Sequence, residues 1–533
     1  MTLSHRGCTH DRADAAYHGS CFICAAAEDE NPAPTRRSLL RTVAAAPVLA
    51  MTLAGLKPAQ AAVPRVPEGP LVIEAGWALT EKDGKLELVR NANILVRDGV
   101  IEDISTNPIK GRFAKLDARE HIVLPGFISG HTHCCSATPT RGLIESGRSY
   151  RVPLQLVEAL SDDEQDALTA LNLAELLRSG STTHVEMSLT LRQAESYVRL
   201  AKAWGVRGFP GHMIPNTTRL FELWFRKDDA PLFASEADTI KEIGQSLAFG
   251  KKHMGAADGL IMPMMSVHGT DTHTDKTMLA MQRACAELGT GLHIHLAQSR
   301  GETETVKRLW KMTPVAWLES LGMLDQPVFG AHMSGVDWAV DGPILAKHGA
   351  VYAHCPSGGG AGGGSQPYPE ALGAGVAVNI GIDTHSNDYL ENLKLAALYG
   401  KNRYRHLNRT SAVPMKSPTI WDAVDGATRV AATGLRRPDL GRIKVGTKAD
   451  ITTVDVSGLL VGSGALPPEP MHNLLYANGM MVRHVLTQGR VQVFDGQLAV
   501  ADEAKVKAAG GQVVRKIWDQ LAKEDWFTKP RDR

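Results

Sequence analysis

The sequence predicts an α/β protein built on a (β/α)8 barrel, and three observations support this. The run Leu124-Pro125-Gly126-Phe127-Ile128-Ser129-Gly130-His131-Thr132-His133 is an apolar strand that ends in two histidines spaced i, i+2. Runs 291–298 (GLHIHLAQ), 327–332 (PVFGAH) and 376–383 (VAVNIGID) are also apolar, and each carries a histidine or aspartate at or near its C-terminal end. Between such runs helical patterns intervene. Ser161-Asp162-Asp163-Glu164 is a capping box opening a helix through Leu177, and Gly180-Ser181-Thr182-Thr183 enters the next strand. In a barrel of parallel strands the C-terminal ends share one rim, so polar residues far apart in sequence meet there.

The segments follow in order. Residues 1–61 form a leader in which Thr35-Arg36-Arg37-Ser38-Leu39-Leu40-Arg41 precedes an apolar run, 42–56, and then Ala59-Gln60-Ala61, a small-x-small cleavage site. That pattern resembles a twin-arginine export signal, which implies passage through the twin-arginine translocon and a periplasmic or secreted mature enzyme. The apolar run is too short for a comfortable membrane span, so no stable insertion is expected. Cys8, His10, His18, Cys21 and Cys24 lie ahead of the arginines, either as a small zinc knuckle or as sequence discarded with the signal. Residues 62–124 and 441–500 read as short strands with turn signals. They flank the barrel, 125–440, and a helical pattern from Val513 to Trp526 occupies the tail, 501–533.

Residues two apart in a strand share a face, so His131 and His133 can converge on one ion, and neutral imidazole is a common ligand for zinc. On the run 291–298 both His293 and His295 lie on one face, and strand geometry alone leaves either as a ligand. The glycine-rich stretch 358–364 reads as a rim loop that either approaches the ligand closely or is simply flexible. Cys134, Cys135, Cys285 and Cys355 read as packed thiols and not as a disulfide framework. With 533 residues, 43% of them hydrophobic, and a formal net charge of +1, the chain suits a globular enzyme. It lacks a basic stripe with interleaved aromatics, which excludes electrostatic capture of nucleic acid.

The ordered motifs resemble the amidohydrolase superfamily, in its mononuclear branch of cytosine deaminase-like and triazine hydrolase-like enzymes. The matching residues are PGF-x-x-x-HTH at 125–133, Thr140-Arg141-Gly142, His295-Leu296-Ala297, His332, His354-Cys355-Pro356-Ser357, and Gly381-Ile382-Asp383 leading into Ser386-Asn387. The resemblance implies that the strand-rich flanks combine into one small β-sandwich. It implies His131, His133, His295 and Asp383 as metal ligands, Asp383 also as general base, and His332 as the histidine that contacts the attacking water or the substrate. His295 is preferred to His293 because the family places its ligand three residues before an acidic position. The candidate fourth strand, 259–268, has no lysine to bridge two metals, so one divalent ion is expected, zinc or alternatively iron(II).

That acidic position is Gln298 here, a departure from the family pattern. Glutamine hydrogen-bonds but delivers no titrating proton, so substrates that need ring protonation are disfavoured. Gln298, His268 and His354 are the candidate substrate-binding residues, and His268, Asp271 or His273 could line the pocket, supply the missing acid, or be exposed loop residues. The expected activity is hydrolysis of a C–N bond in a small-molecule amide, urea or carbamate by metal-activated water. The alternatives are an aminoheterocycle deaminase or dehalogenase, and a non-catalytic periplasmic binding protein. A homo-oligomer is compatible with the sequence.

Overall fold

The computed structural model of the chain describes residues 63–143, 151–217, 233–362 and 364–523. The leader, with its arginine pair and cysteines, lies outside the described residues.

Eight parallel strands run in sequential order: β1 (Phe127–Thr132), β2 (Ser181–Ser188), β3 (Arg207–Ile214), β4 (Met265–Gly269), β5 (Leu292–Leu296), β6 (Val328–His332), β7 (Val351–His354) and β8 (Ala377–Ile380). The ring closes between its ends just beyond β8, where the Ile382 and Asp383 N–H groups both donate to the His131 carbonyl, at 2.8 and 3.1 Å. Strand alternation separates two environments. On β5, Leu292, Ile294 and Leu296 face the surrounding helices in the main apolar core, while His293 and His295 face the interior. The N-terminal end of the barrel is plugged by Ile128, Val185, Phe209, Phe329 and Val351, covered by Ala431, Ala432 and Leu435. The interior-facing histidines lie toward the opposite rim.

The strand-rich flanks meet in one nine-stranded mixed sheet. Strand Ala114–Pro125 pairs antiparallel with Ile451–Asp455, with Val123 opposite Thr453, which unites the two ends of the described chain. This sheet has its own core, including Ile73, Ile94, Ile101, Ile443 and Leu486. It is tied to the barrel by Arg207 at the start of β3, whose Nε and Nη2 donate to the two carboxylate oxygens of Asp450 at 2.8 and 3.1 Å. Both side chains are buried, so loss of either partner would leave an uncompensated charge.

The capping box opens helix Asp162–Arg178 at Ser161, as the sequence indicates. The tail helix, Glu503–Lys523, begins ten residues earlier than the apolar periodicity suggests, because the Asp502 carboxylate accepts the Lys505 N–H at 3.1 Å and caps its first turn. Val513, Val514, Ile517 and Leu521 pack it against Leu168 and neighbours. The glycine-rich stretch departs from the expected loop: Pro356 starts a short helix, Pro356–Ala361. Among the described residues no helix is long and apolar enough to cross a membrane.

Candidate metal centre

The barrel rim gathers the nitrogen atoms of His131, His133 and His295 within 4.8 Å of one another, and those of His131 and His332 within the same distance of an Asp383 oxygen. His133 Nε2 and His295 Nε2 are 3.3 Å apart. Asp383 Oδ1 lies 3.7 Å from His131 Nε2 and 3.6 Å from His133 Nε2. Donors around a tetrahedral zinc ion, each at about 2.0–2.2 Å, stand about 3.4 Å apart, so this spacing suits one ion.

The tautomers suit it as well. His133 Nδ1–H donates to the Met187 carbonyl at 2.8 Å, and His295 Nδ1–H to the His268 carbonyl at 2.7 Å. Each bond leaves the Nε2 lone pair free to face the centre. His131 Nε2 is buried without a hydrogen-bond partner, as is His332 Nε2. Burial, reinforced by neighbouring histidines, holds His131 and His295 well below the usual imidazole range, so both are neutral and able to ligate. The residues present therefore fit a divalent ion.

His293 does not join the ring of donors. It lies deeper on β5, with Nε2 2.8 Å from His131 Nδ1. With Nε2 offered to an ion as a lone pair, His131 Nδ1–H would be the donor in this bond and His293 the acceptor.

Local backbone strain brings the other groups in. His332 ends β6 with φ of +74° and Asp383 follows β8 with φ of +62°, both in the left-handed region that most side chains avoid. The turn at His332 carries its ring to within 4.0 Å of Asp383 Oδ2. A Cβ at Gly358 would stand 3.0 Å from that oxygen, which explains a glycine there. The backbone of helix Pro356–Ala361 thus approaches Asp383 closely.

The remaining candidates divide. His268 faces the interior at the end of β4 with its ring 5.3 Å from that of His295, and burial pushes it down to about 3, so it is neutral. Gln298 is half-buried on the rim just after β5, its N–H donating to Glu302 Oε2 at 2.7 Å. His273 turns away, bonded to the Ile214 carbonyl and the Thr277 hydroxyl. His354 is also set apart from the donors. It shares the Tyr352 face of β7, opposite the interior-facing Val351, and sits between the Tyr352 hydroxyl at 3.0 Å and the Tyr368 ring. Its surroundings are those of a packed histidine.

Two buried carboxylates have no counterpart in the sequence reading. Glu186 on β2 accepts from the Thr132 hydroxyl at 2.7 Å and the Cys134 N–H at 2.8 Å, gripping the chain on both sides of His133. Glu302 accepts from the N–H groups of Thr270, Ala297 and Gln298 and from the Thr270 hydroxyl. The signal for Glu186 was a charge inside the strand run Ser181–Ser188; that for Glu302 was an acid in the first turn of the helix after β5.

Residues 122–491, well over half of the chain, match the amidohydrolase family. The chain is 29% identical over 412 residues to a 5-methylthioadenosine/S-adenosylhomocysteine deaminase of Moorella thermoacetica, covering 74% of this chain and 86% of that one. Its fold is similar to a zinc-bound adenosine deaminase from Xanthomonas campestris, at TM-score 0.69 and 23% identity, over 84% of this chain and 98% of that one. It is similar also to atrazine chlorohydrolase from Arthrobacter aurescens complexed with zinc, at TM-score 0.70 and 21% identity, over 83% and 100%. With its histidine-rich site at the C-terminal rim of an eight-stranded barrel, the chain belongs to the amidohydrolase family.

Proposed function

We propose that the protein hydrolyses a C–N bond of a small molecule, of amide, urea or carbamate type, with one zinc ion held by His131, His133, His295 and Asp383. The observation that carries this is the convergence of three imidazole nitrogens and one carboxylate oxygen at donor spacing on the barrel rim. A bound zinc ion would supply Lewis acidity, polarising a carbonyl and making water more acidic.

The chain's own residues would do the rest. Asp383 Oδ2 and His332 Nε2, 4.0 Å apart, are close enough to hydrogen-bond one oxygen between them. Asp383 would accept the proton of the attacking water, and His332 would orient that water or the charge developing on the attacked group. Gln298 would hydrogen-bond the substrate at the rim without protonating it.

A second reading, hydrolytic deamination of an aminated heterocycle, is favoured by the deaminase names of curated relatives at 27–29% identity. Metal-replete protein incubated with a panel of amides, ureas, carbamates and amino-heterocycles separates the two. Cleavage of acyl C–N bonds that stops with a chelator is expected, whereas ammonia release from a ring would establish the second reading. Stoichiometric binding without turnover would make the protein a binding module.

The leader supports export through the twin-arginine route, which carries folded protein and so allows metal to be inserted before crossing.

A further inference from the structure

A site that breaks C–N bonds must protonate the departing nitrogen, and Gln298 cannot. The rim nevertheless holds a carboxyl pair beside it. The turn Thr270–Thr272 follows β4 directly, and the Glu302 carboxylate ties that turn to the rim after β5, accepting from Thr270 on one side and from Ala297 and Gln298 on the other. Asp271 is in this turn. Its Oδ1, the His295 carbonyl oxygen and Glu302 Oε1 surround one point beside Gly269, at 3.4, 3.5 and 3.6 Å from where a Cβ of that residue would stand. Glu302 is buried and receives four donors, the environment of an ionised carboxylate. Asp271 is half-buried. The charge on Glu302 disfavours a second charge on Asp271.

We propose that Asp271, in the rim turn that Glu302 ties to the segment carrying Gln298, is the catalytic acid that delivers a proton to the departing nitrogen in place of an acid at position 298. The proposal rests on the C–N hydrolase reading. In the step, a water oxygen bonds to the electrophilic carbon and gives one proton to Asp383. Asp271 gives its proton to the nitrogen as the C–N bond breaks and the electron pair leaves with that nitrogen. The proton on Asp383 passes through solvent to restore Asp271, so one water is consumed in total. Burial and the Glu302 charge both hold Asp271 above the ordinary carboxylate range, in the direction this role needs.

The experiment uses zinc-loaded protein and the acyl group that the wild type cleaves best, carried once on an alkylamine and once on 4-nitroaniline. The nitroanilide anion leaves with little help from an acid. Asp271→Asn should lower kcat/KM for the alkylamide by ~10²-fold or more and for the nitroanilide by about threefold, with zinc content unchanged. Asp271→Glu should recover part of the alkylamide activity. The infrared carbonyl band of a protonated carboxyl should be present at neutral pH in the wild type and absent in Asp271→Asn. Equal losses on the two substrates, no loss on either, or absence of the band would overturn the assignment. Wild-type protein that turns over no acyl C–N compound would instead defeat the underlying reading, and the role of Asp271 with it, whatever the infrared spectrum shows.

Discussion

His293 Nε2 meets His131 Nδ1 at 2.8 Å, a bond between two buried histidines on opposite sides of the barrel interior. It sets which nitrogen of His131 faces the donor ring, because a proton committed to Nδ1 leaves Nε2 as the lone pair. His293→Phe should therefore keep the fold but weaken zinc binding by ~10–100-fold in competition with a chromophoric chelator, as for other partners that orient metal ligands. His133→Ala and His295→Ala should abolish stoichiometric binding. Unchanged affinity in His293→Phe would show that ring orientation is set by packing alone.

Asp383 and Gln298 should respond very differently to exchange. Asp383→Asn would remove the proposed proton acceptor and an anionic ligand together, and turnover should fall by ~10²-fold or more. Gln298→Glu should alter acyl C–N hydrolysis only modestly, and it should open weak activity toward protonatable amino-heterocycles. Steady-state kinetics on both substrate classes decide this. A collapse of the native activity in Gln298→Glu would mean that the amide group itself is needed.

The metal-free protein should lose stability in mild acid. Burial lowers His184 to about 3 and His273 to about 4, so the folded state keeps them neutral where the unfolded chain takes up protons. Stability is then full above about pH 6.5, the ordinary imidazole value, and is lost as pH falls below it toward those folded values. Each such group contributes a slope of about 1.4 kcal/mol per pH unit within that window. Thermal melts from pH 7.5 to 5 should show a steady fall in Tm, shallower in His184→Gln. A flat profile would contradict neutral burial.

Export by the twin-arginine route would depend on the arginine pair. Arg36→Lys with Arg37→Lys should leave the protein in the cytoplasm with its leader attached, read by fractionation and by the mass of the chain. Normal processing of the double variant would show a different route.

The barrel and its rim histidines were legible because two periodicities coincide with chemistry: apolar runs end in polar residues, and strand ends share a rim. The convergence of His131 and His133 followed from strand spacing, and the choice of His295 over His293 from the family resemblance. Four features did not. His293 and His295 share a face, and only depth along the barrel axis separates a ligand from the residue behind it. His354 closes an apolar run like the others, but which parity of β7 faces inward depends on Val351 joining the interior plug, a tertiary fact. Glu302 acts through backbone groups of two different rim segments, and no local pattern marks such a contact. The helix at Pro356–Ala361 was hidden because glycine count outweighed the proline that starts it.

The closing rung of the barrel is built from two of the residues whose side chains converge on the candidate metal site. His131 supplies the carbonyl, Asp383 supplies one of the two N–H donors, and their side chains meet on the interior side. An ion bound there would act as a clasp across the seam between the first and last strands. Metal occupancy then bears on the mechanical integrity of the barrel as well as on chemistry. In hydrogen-exchange measurements on protein stripped of metal, the amides of Ile382 and Asp383 would be among the first barrel amides to exchange, and reloading the ion would protect them again.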